Sequence, residues 1–518
     1  MASPSMLPRV VGALALAVAP AAQAGGAPVS LGPVTGDVST RGAVVWARAP
    51  GPGTLHVQVS PRVWSHALGW DVLVGPDSDY TGQVVLDGLT PGRAYEVRVR
   101  YTDTRGREGP YATGRFQTAP PIDAVTPVSF VFGGDVGGQG RCRRLAADGT
   151  ELGYPIFSVM NNLNTDFFIM NGDQIYADGT CPADGPAEAE IQPWRNVPGP
   201  MVNIADPAVS WQDSLALRSA YWEHWRYNRA DAAYQAFLAG VPMYVQWDDH
   251  EVINDFGAAW PFWSPSSVDR AGYPNLVAVG RQAFAQYNPL GPIVAERGGL
   301  YRSFRWGQDL ELFLLDARTW RSPNATPDTP EKPKTLLGPA QLAWLERVVA
   351  DSTATWKVIS VDVPLAIATG SRPERNGRDA WANGAGAEPA DQFEEHTGFE
   401  RELTELLSAF ERAGIQNLVF LSTDVHYAQI ARFSPDLDGD GTPLVFHEII
   451  AGPLSAWCGR PQPSDPTFAP EILWQEGGIF NYGLVRVSRP DGVPTLSVEI
   501  RGEDGAVRPG GTLTLTAR

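Results

Sequence analysis

Five short apolar runs in this chain each end in acidic, amide or histidine side chains. One of them is DFFIMNGDQIYAD, at Asp166–Asp178, in which an apolar strand leads directly into a cluster of oxygen ligands. The other four are VFGGD, VQWDDHE, VISVD and VFLSTDVH. Layered α/β folds place their binding sites at the carboxyl ends of strands. The recurrence therefore predicts a metal site at one edge of a sheet.

The length and charge of the chain limit the class of protein. Its 518 residues, of which 43% are hydrophobic and 17 are tryptophan, can bury a large core and predict two domains. The formal net charge of -18 argues against a protein that binds a phosphate backbone, so no nucleic-acid docking surface is expected. The same excess of acids suits a protein that binds cations.

Residues 1–24 have the pattern of a secretory signal peptide. Arg9 supplies a positive start, Val10–Ala19 is apolar, and Ala22-Gln23-Ala24 fits a cleavage site. The apolar run is too short to cross a bilayer, and no later segment has the roughly 20 consecutive apolar residues of a membrane span. The sequence therefore predicts an exported protein, secreted or periplasmic, without a membrane span. It leaves the oligomeric state open.

The chain has three cysteines, Cys142, Cys181 and Cys458, which is an odd number. In an oxidising compartment one pair can form a disulfide and leave one thiol over. The sequence does not select the pair.

Residues 25–121 contain short β-rich runs such as AVVWAR, TLHVQVS and GQVVLDG, separated by turns rich in Gly, Pro and Asp. This spacing predicts a small antiparallel β-sandwich. The segment LDGLTPGRAYEVRV, with Tyr95 beside a turn at the start of a strand, resembles the fibronectin type III pattern. The sandwich is either a structural cap or a docking module that faces the substrate.

A linker at Ala119–Pro127 precedes residues 128–518, where strands alternate with helices and predict an α/β domain. The predicted strands are Ser129–Phe132, Phe167–Met170, Met243–Trp247, Glu311–Leu315, Trp356–Val361 and Asn417–Leu421. Helices are predicted around 157–163, through Leu342, Leu345 and Val349, and through Phe399, Leu403, Leu406, Leu407 and Phe410.

The loops after these strands carry groups that bind cations. Four aspartates directly follow apolar strands, and two histidines lie in the same loops: Asp135, Asp173, Asp249, Asp424, His250 and His426. A buried carboxylate is costly unless it is paired or bound to a metal, so several that converge predict a metal site. Two metals about 3.5–4 Å apart, bridged by one carboxylate, can bind a phosphate ester and activate a water for in-line attack.

Tyr176 lies three residues after Asp173 and can reach the same metal across one turn. A tyrosinate ligand favours trivalent iron, whereas carboxylates and amides suit calcium or manganese. Taken singly, these residues also have a structural interpretation, since an aspartate after a strand often closes a turn and a tyrosine often packs. The run Asp248-Asp249-His250-Glu251 fits poorly in a core or in a turn.

Several motifs, in this order, resemble the alkaline phosphatase D family of metallophosphoesterases: NGDQIYAD, PMYVQWDDHEV, LLDART, LLGPAQLAWL, ATWKVIS and NLVFLSTDVHYAQ. The resemblance covers most of the chain after the signal peptide. It implies a calcineurin-like or purple acid phosphatase-like fold, with a four-layer α/β/β/α domain after the fibronectin type III-like sandwich. It also implies Fe3+ with Ca2+, or with Mn2+ or Zn2+ in the second site, and cleavage of small phosphate monoesters or diesters.

The resemblance also implies a ligand set. Asp173 would bridge the metals, and Tyr176 with His426 would bind the iron. Asp249 and Asp424 would hold the second metal. A metal-bound hydroxide would then act as the nucleophile, so no covalent phosphoenzyme is expected.

Further roles follow from the same resemblance. His250 would lie near the leaving-group oxygen as general acid, Asn254 competes for the second metal site, and Asp362 is a further ligand. Phosphate contacts are assigned to Arg141 and Arg318, because a guanidinium matches two phosphate oxygens.

Two positions depart from the family pattern. Asp135 in FVFGGDVGG stands where the family commonly has a cysteine, and Cys142 lies too far along the chain to replace it. Asp135 would therefore complete an iron site made of oxygen and nitrogen atoms. Asn171 stands where many members have a histidine. The segment Asp436–Gly441 opens like a calcium loop, but its twelfth position is His447, so a polar turn is an equal interpretation.

The sequence thus predicts a secreted phosphoesterase that acts on phosphate monoesters, diesters or both. One alternative is a non-catalytic exported binding protein on the same fold, for which the missing cysteine is the main argument. The other is a phospholipase D-like diesterase that cleaves phospholipid head groups at the same site.

Overall fold

A computed structural model of the chain describes residues 25–61, 64, 67–185, 195–257, 270–291, 299–370, 377–383 and 397–518. The predicted signal peptide, residues 1–24, lies outside the described residues. Within these ranges, no helix has both the length and the apolar character needed to cross a membrane.

The described secondary structure is mostly β. The strands are β1 Leu31–Gly36, β2 Ala43–Arg48, β3 Gly53–Ser60, β4 Leu68–Val74, β5 Thr81–Leu86, β6 Ala94–Asp103, β7 Ala112–Gln117, β8 Val128–Gly133, β9 Arg144–Leu145, β10 Glu151–Gly153, β11 Phe167–Met170, β12 Met243–Val245, β13 Arg302–Trp306, β14 Leu310–Leu314, β15 Trp356–Ser360, β16 Leu418–Ser422, β17 Ala428–Phe433, β18 Phe446–Ile450, β19 Glu471–Glu476, β20 Asn481–Ser488, β21 Thr495–Gly502 and β22 Val507–Thr516. The helices are α1 Pro155–Asn161, α2 Ser214–Arg229, α3 Ala232–Gly240, α4 Tyr273–Tyr287, α5 Pro339–Asp351 and α6 Glu400–Arg412. The strands predicted from the apolar runs are confirmed as β8, β11, β12, β14, β15 and β16.

The N-terminal strands form two facing sheets. β3, β4, β6 and β7 make a four-stranded sheet, and side chains such as Leu55 and Val97 from it pack with Val45 of β2. β1, β2 and β5 make the facing sheet, which continues into the centre of the molecule because Gly36 of β1 pairs with Met243 of β12. One sheet therefore crosses the predicted boundary between the sandwich and the α/β part.

Two larger mixed sheets form the centre of the molecule. The nine-stranded sheet has the order β22-β21-β20-β8-β11-β12-β1-β2-β5, and the seven-stranded sheet has the order β13-β14-β15-β16-β18-β17-β19. β8, β11 and β12 are parallel neighbours in the first sheet. β14, β15, β16 and β18 are parallel neighbours in the second.

Alternating side chains build a core on both faces of each sheet. In β8, Phe130 and Phe132 pack with Leu312 and Val358 of the other sheet, whereas Val131 joins a core with α1–α4. The far face of the seven-stranded sheet packs with α5 and α6. Because successive side chains of a strand point to opposite faces, apolar residues at every position are expected in strands that are covered on both sides.

The two C-terminal helices match their predicted apolar faces. In α6 the buried side chains are Leu403, Leu406, Leu407 and Phe410, with Glu402 beside them. The helix ends ahead of Gly414, whose φ of 63° is left-handed and suits glycine at a helix C-terminus.

The carboxyl ends of the parallel strands from both sheets meet at one edge of the molecule. The side chain of Gln246, after β12, donates to the carbonyls of Leu315 and Ser360 at 2.9 Å in each case. Asn171, after β11, donates to the Ser360 hydroxyl at 2.8 Å. These buried bonds hold the two sheets together at the edge where the predicted ligand loops begin.

Candidate metal centre

The predicted ligands lie in loops that begin at the carboxyl ends of four parallel strands. Asp135 follows β8, Asp173 follows β11, Asp249 follows β12, and Asp424 and His426 follow β16. Asp135, Asp173, Asp424 and His426 have left-handed φ values of 64°, 50°, 71° and 59°. Such a backbone is uncommon outside glycine and clusters at functional sites. It turns the chain sharply, so these side chains stay at the edge of the sheets.

One group of ligand atoms joins the loops after β8, β11 and β16. Asp135, Asp173 and His426 each offer an atom within 4.8 Å of the other two. The phenol oxygen of Tyr176 lies 3.2 Å from Nε2 of His426, at the same group. Nδ1 of His426 lies 2.6 Å from the carbonyl of Trp457. Only a protonated Nδ1 can donate there, so in the neutral ring Nε2 keeps its lone pair.

The neighbouring ligand atoms form a continuous series. Three further groups have atoms within 4.8 Å of one another: Asp173, Asp249 and His250; Asp248, Asp249 and Asp424; and Asp249, Asp255 and Asp379. Asp173 belongs to both the first group and the second, and Asp249 joins the second to the others. This sharing is the arrangement expected of carboxylates between adjacent cations. The sequence motifs did not indicate Asp255 and Asp379.

Several carboxylate oxygens of this series are buried without a hydrogen bond. Among the residues that the structure describes, Asp135 Oδ1, Asp248 Oδ2 and Asp249 Oδ1 have no hydrogen-bond partner. A buried carboxylate oxygen without a hydrogen bond is costly, and a cation would satisfy all three. The donor atoms are oxygens and imidazole nitrogens, which suit trivalent iron and hard divalent cations. The residues present therefore fit a centre with more than one cation.

Burial and mutual repulsion disfavour the negative forms of these groups. Burial, together with the charges of Asp248 and Asp249, raises the pKa of Asp173 well above its ordinary value. Burial and the charge of Asp249 do the same to the pKa of Asp424. Burial and the charge of Asp173 raise the pKa of Tyr176 well above its usual range. Bound cations would reverse all three effects, since they favour the ionised forms.

Two protein-family models match the chain. The PhoD-like phosphatase model matches residues 142–476, and the model of the PhoD-like phosphatase N-terminal domain matches residues 14–120. This chain belongs to the PhoD-like phosphatase family. It is therefore a phosphatase, and the resemblance seen in its motifs is confirmed.

Individual relatives agree with the family assignment. Alkaline phosphatase D of Bacillus subtilis (strain 168) is 25% identical over 455 residues, which cover 83% of this chain and 70% of that protein. The structure of PhoD superposes with a TM-score of 0.69 at 19% identity, over 94% of this chain and 89% of that one. Purple acid phosphatase PPD1 from seeds of yellow lupin (Lupinus luteus) superposes with a TM-score of 0.56 at 13% identity, over 95% of this chain and 74% of that one. These two structures show a shared fold.

In this PhoD-like phosphatase, His250 is held by a carboxylate to which the sequence analysis gave no role. Nδ1 of His250 lies 2.6 Å from Oδ1 of Asp178, and the His250 ring lies 4.3 Å from the Tyr176 ring. Burial lowers the pKa of His250, but the charges of Asp178 and Asp249 outweigh it and hold that pKa well above its ordinary value. Asp178 is the last residue of the motif NGDQIYAD, so its position in that motif was the available signal.

Glu251 is a second residue without a predicted role. Its carboxylate accepts hydrogen bonds from the N–H groups of Asp173 at 3.0 Å, Gln174 at 2.6 Å and Asp248 at 2.8 Å. Burial raises the pKa of Glu251 to about 8. The side chain thus ties the loop after β11 to the loop after β12. Its place in the run DDHE was the only sequence signal.

Arg318, predicted to contact phosphate, lies fully buried among carboxylates. It forms ion pairs with Asp248 and Asp379, and its Nε lies 3.2 Å from Asp362. Burial lowers the pKa of Arg318, but the charges of Asp248 and Asp379 outweigh it and raise that pKa well above the usual range. The guanidinium offsets the negative charge of these carboxylates. This geometry does not support a phosphate contact, and it shows Asp362 paired with Arg318.

A disulfide joins the loop that carries Arg141 to the loop that carries Asp173. Cys142 is bonded to Cys181, with their Cα atoms 5.8 Å apart, and Cys458 is buried and lies outside this disulfide. The bond connects the loop after β8 with the loop after β11. Arg141 is buried in this loop, and its N–H donates to the carbonyl of Gly138 at 2.9 Å. Its predicted phosphate contact stays a prediction.

Asn254 lies half-buried at the end of the loop after β12. Its N–H donates to Oδ2 of Asp178 at 3.0 Å, which connects it with the carboxylate that holds His250. Its role in the second metal site stays a prediction.

The segment Asp436–Gly441 has the hydrogen bonds of a polar turn. The Asp436 carboxylate accepts from the N–H groups of Gly439 at 2.9 Å and Gly441 at 3.2 Å. Glu411, Asp436 and Asp438 also offer ligand atoms within 4.8 Å of one another, on the surface. The calcium interpretation therefore stays a prediction.

Proposed function

We propose that this PhoD-like phosphatase hydrolyses small phosphate monoesters, diesters or both at a centre of two or more cations. The observation that carries the proposal is the position of Asp173, whose carboxylate belongs to both the Asp135–His426 group and the Asp249–His250 group. A carboxylate shared in this way is what a pair of adjacent cations requires.

The ligand groups divide by chemistry. Asp135, Asp173, Tyr176 and His426 would hold Fe3+, because a phenolate and carboxylates suit a trivalent ion. Asp249 and Asp424 would hold Ca2+, or Mn2+ or Zn2+ in its place, with Asn254 as the competing ligand. When bound, such cations polarise the phosphate and activate a water for in-line attack on phosphorus.

His250 is proposed as the general acid for the leaving group. The Asp178 carboxylate accepts a hydrogen bond of 2.6 Å from Nδ1–H of His250, which keeps the proton on that nitrogen. The charged ring can then give its Nε2 proton to a departing alkoxide, and Asp178 stabilises the charged ring before the transfer. Burial disfavours the ionised forms of Asp248 and Asp379, and the charge of Arg318 opposes that effect through its ion pairs with both. At Asp379 the charges of Arg318 and Arg321 outweigh burial and lower the pKa.

The proposal also includes the layer arrangement of the fold and the location of the protein. The packing of helices on the outer faces of two facing sheets supports the four-layer α/β/β/α arrangement of metallophosphoesterases. The disulfide Cys142–Cys181 and the signal-like residues 1–24 support export to a secreted or periplasmic location.

The test combines metal analysis with three substrates. The purified protein is assayed for iron and calcium and for hydrolysis of p-nitrophenyl phosphate, bis-p-nitrophenyl phosphate and phosphatidylcholine. We expect bound metal, turnover of at least one of the first two esters, and loss of both metal and turnover in Asp173→Asn. Hydrolysis of the lipid alone would favour the phospholipase D-like alternative. A metal-free protein that hydrolyses none of them would favour the binding-protein alternative.

A further inference from the structure

The side chain of Trp457 is exposed next to the candidate metal centre. It is 43% exposed, whereas every other tryptophan that the structure describes is buried or half-buried. Its ring centroid lies 6.0 Å from that of His426, with 53° between the ring planes. Exposed tryptophan is uncommon and often marks a binding surface. Here it lies at the boundary between the ligand groups and solvent.

The loop that carries Trp457 is fixed to the ligand loop after β16. Nδ1 of His426 donates to the carbonyl of Trp457 at 2.6 Å, and the N–H of Gly459 donates to the carbonyl of His426 at 2.7 Å. Two hydrogen bonds in opposite directions therefore connect residue 426 with residues 457 and 459. These bonds fix the backbone of Trp457 relative to the His426 imidazole.

The same loop is also fixed to the ligand loop after β8. The N–H of Ser455 donates to the carbonyl of Asp135 at 2.9 Å, and the N–H of Leu454 donates to the carbonyl of Gly134 at 2.9 Å. Cys458, the neighbour of Trp457, is buried. Residues 454–459 are thus hydrogen-bonded to both ligand loops, and the Trp457 side chain extends from this segment into solvent. The backbone that carries the exposed Trp457 side chain is therefore held beside the candidate metal centre.

An aromatic side chain on a fixed backbone can bind a flat apolar group at reduced entropic cost. Ordering a free tryptophan side chain on binding would oppose association, and a side chain on a backbone that is already fixed avoids part of that cost. The phosphate of an ester would be held by cations bound at the ligand groups. The remaining part of the ester needs a partner outside them, and Trp457 offers an apolar ring whose centroid lies 6.0 Å from that of His426.

We propose that the Trp457 side chain is a substrate-binding residue that stacks on a flat aromatic substituent of the phosphate ester. The inference rests on the proposed phosphoesterase function and adds a substrate class to it, namely esters of aryl groups or of other planar rings. Its backbone carbonyl has a separate role, which is to orient His426. The side chain can therefore be changed without removing the bond to the metal ligand.

The experiment compares two esters that differ in the shape of the ring. Wild type, Trp457→Ala and Trp457→Phe are assayed with phenyl phosphate and with cyclohexyl phosphate, whose ring is of similar size but not planar. For Trp457→Ala we expect KM to rise about three- to tenfold for the phenyl ester and less than twofold for the cyclohexyl ester. Trp457→Phe, which keeps an aromatic ring, should retain most of the affinity for the phenyl ester that Trp457→Ala loses. Tyr111→Ala, an exposed aromatic truncation on the sandwich (Tyr111 is 37% exposed), should leave both KM values unchanged.

A binding measurement separates this inference from the proposed function. Phenylphosphonate and methylphosphonate are titrated into wild type and Trp457→Ala by calorimetry, with metal content measured in each sample. A preference for phenylphosphonate that disappears in Trp457→Ala at unchanged metal content supports the stacking role, even if no ester is hydrolysed. An equal effect on both ligands or on both esters, no effect on either, or a loss of metal in Trp457→Ala would overturn it. Wild type that binds phenylphosphonate but hydrolyses neither ester would count against the proposed function alone.

Discussion

The N–H of Asp173 donates a hydrogen bond of 3.0 Å to Oε2 of Glu251. The same oxygen accepts the N–H of Asp248 at 2.8 Å, and Oε1 accepts the N–H of Gln174 at 2.6 Å. Asp173 is the carboxylate that belongs to two ligand groups. The Glu251 carboxylate therefore fixes the backbone of the residue that the two groups share. Glu251 is thus a positioning residue for the loops after β11 and β12.

Glu251→Gln should weaken both the fold and the metal centre. Glutamine has one acceptor oxygen where glutamate has two. Its NH2 group would therefore face at least one of the three backbone N–H groups, which would lose its acceptor. A buried donor without an acceptor costs about 1–3 kcal/mol. We expect a lower free energy of unfolding in denaturant and less metal per chain after dialysis. The exposed Glu331 provides a matched control, Glu331→Gln, and wild-type metal content in Glu251→Gln would contradict the positioning role.

Asp178→Asn should lower kcat through His250. The amide can leave the ring in the wrong tautomer and does not stabilise its charged form, so we expect kcat to fall about 10–100-fold for an ester with a poor leaving group. The fall should be smaller for p-nitrophenyl phosphate, whose leaving group needs little protonation. If Asp178 acts only through His250, the double variant with His250→Ala should be no slower than His250→Ala alone. Additive losses would show an independent role for Asp178.

Tyr176→Phe should remove a visible absorption band of the iron-loaded protein. Without a cation, burial and the charge of Asp173 raise the pKa of Tyr176, so its phenol keeps its proton at neutral pH. Binding of Fe3+ would convert it to a coloured phenolate complex. We expect a colourless metal-depleted protein, a band after addition of Fe3+, and no band in Tyr176→Phe with iron content checked. Tyr427→Phe, at a buried tyrosine next to His426, is the control that should keep the band.

Arg318→Lys distinguishes the two interpretations of Arg318. Lysine keeps the charge but not the planar fork that reaches Asp248, Asp362 and Asp379 together. We expect the free energy of unfolding to fall by about 1–3 kcal/mol, less than the roughly 3–5 kcal/mol for loss of a buried partner charge. KM for a phosphate ester should stay within about twofold, as for a residue that does not touch substrate. A large rise in KM at wild-type stability would instead support the phosphate contact predicted from the sequence.

The strands and the ligand loops could be predicted because both are local patterns. Phe167–Met170 is apolar at every position, as a strand covered on both faces must be, and Asp173 follows it within one turn. The same holds for Leu418–Ser422 and the loop with Asp424 and His426. The rule that sites lie at carboxyl ends of parallel strands then brings these loops together.

The supporting contacts could not be predicted, because strand order decides them. Glu251 meets Asp173 across 78 positions of the chain, and Arg318 meets Asp248 across 70. Neither residue has a local pattern that names its partner. The join between the sandwich and the central sheet rests on Gly36 and Met243, which the sequence assigns to different domains. Such pairs follow from the packed arrangement of the sheets.

Glu448 is a buried carboxyl group whose ionisation should make the stability of the fold depend on pH. It lies in β18, and its Oε1 accepts the N–H of Leu365 at 2.8 Å and the hydroxyl of Ser422 at 2.9 Å. Burial raises the pKa of Glu448 from 4.5 to about 7. A carboxyl group whose pKa is raised on folding stabilises the fold fully below its unfolded pKa. That contribution is lost as the pH rises through the folded pKa, here between about 4.5 and 7.

Glu448→Gln should therefore become more stable relative to wild type as the pH rises across this window. Glutamine keeps an acceptor oxygen for Leu365 and Ser422 and never ionises. Since one unit of pKa shift corresponds to about 1.4 kcal/mol, the difference in the free energy of unfolding should change by at most about 3 kcal/mol between pH 4.5 and pH 7.5. Denaturant unfolding of both metal-depleted proteins at several pH values measures this. A difference that stays constant across the window would show that Glu448 ionises normally in the folded protein.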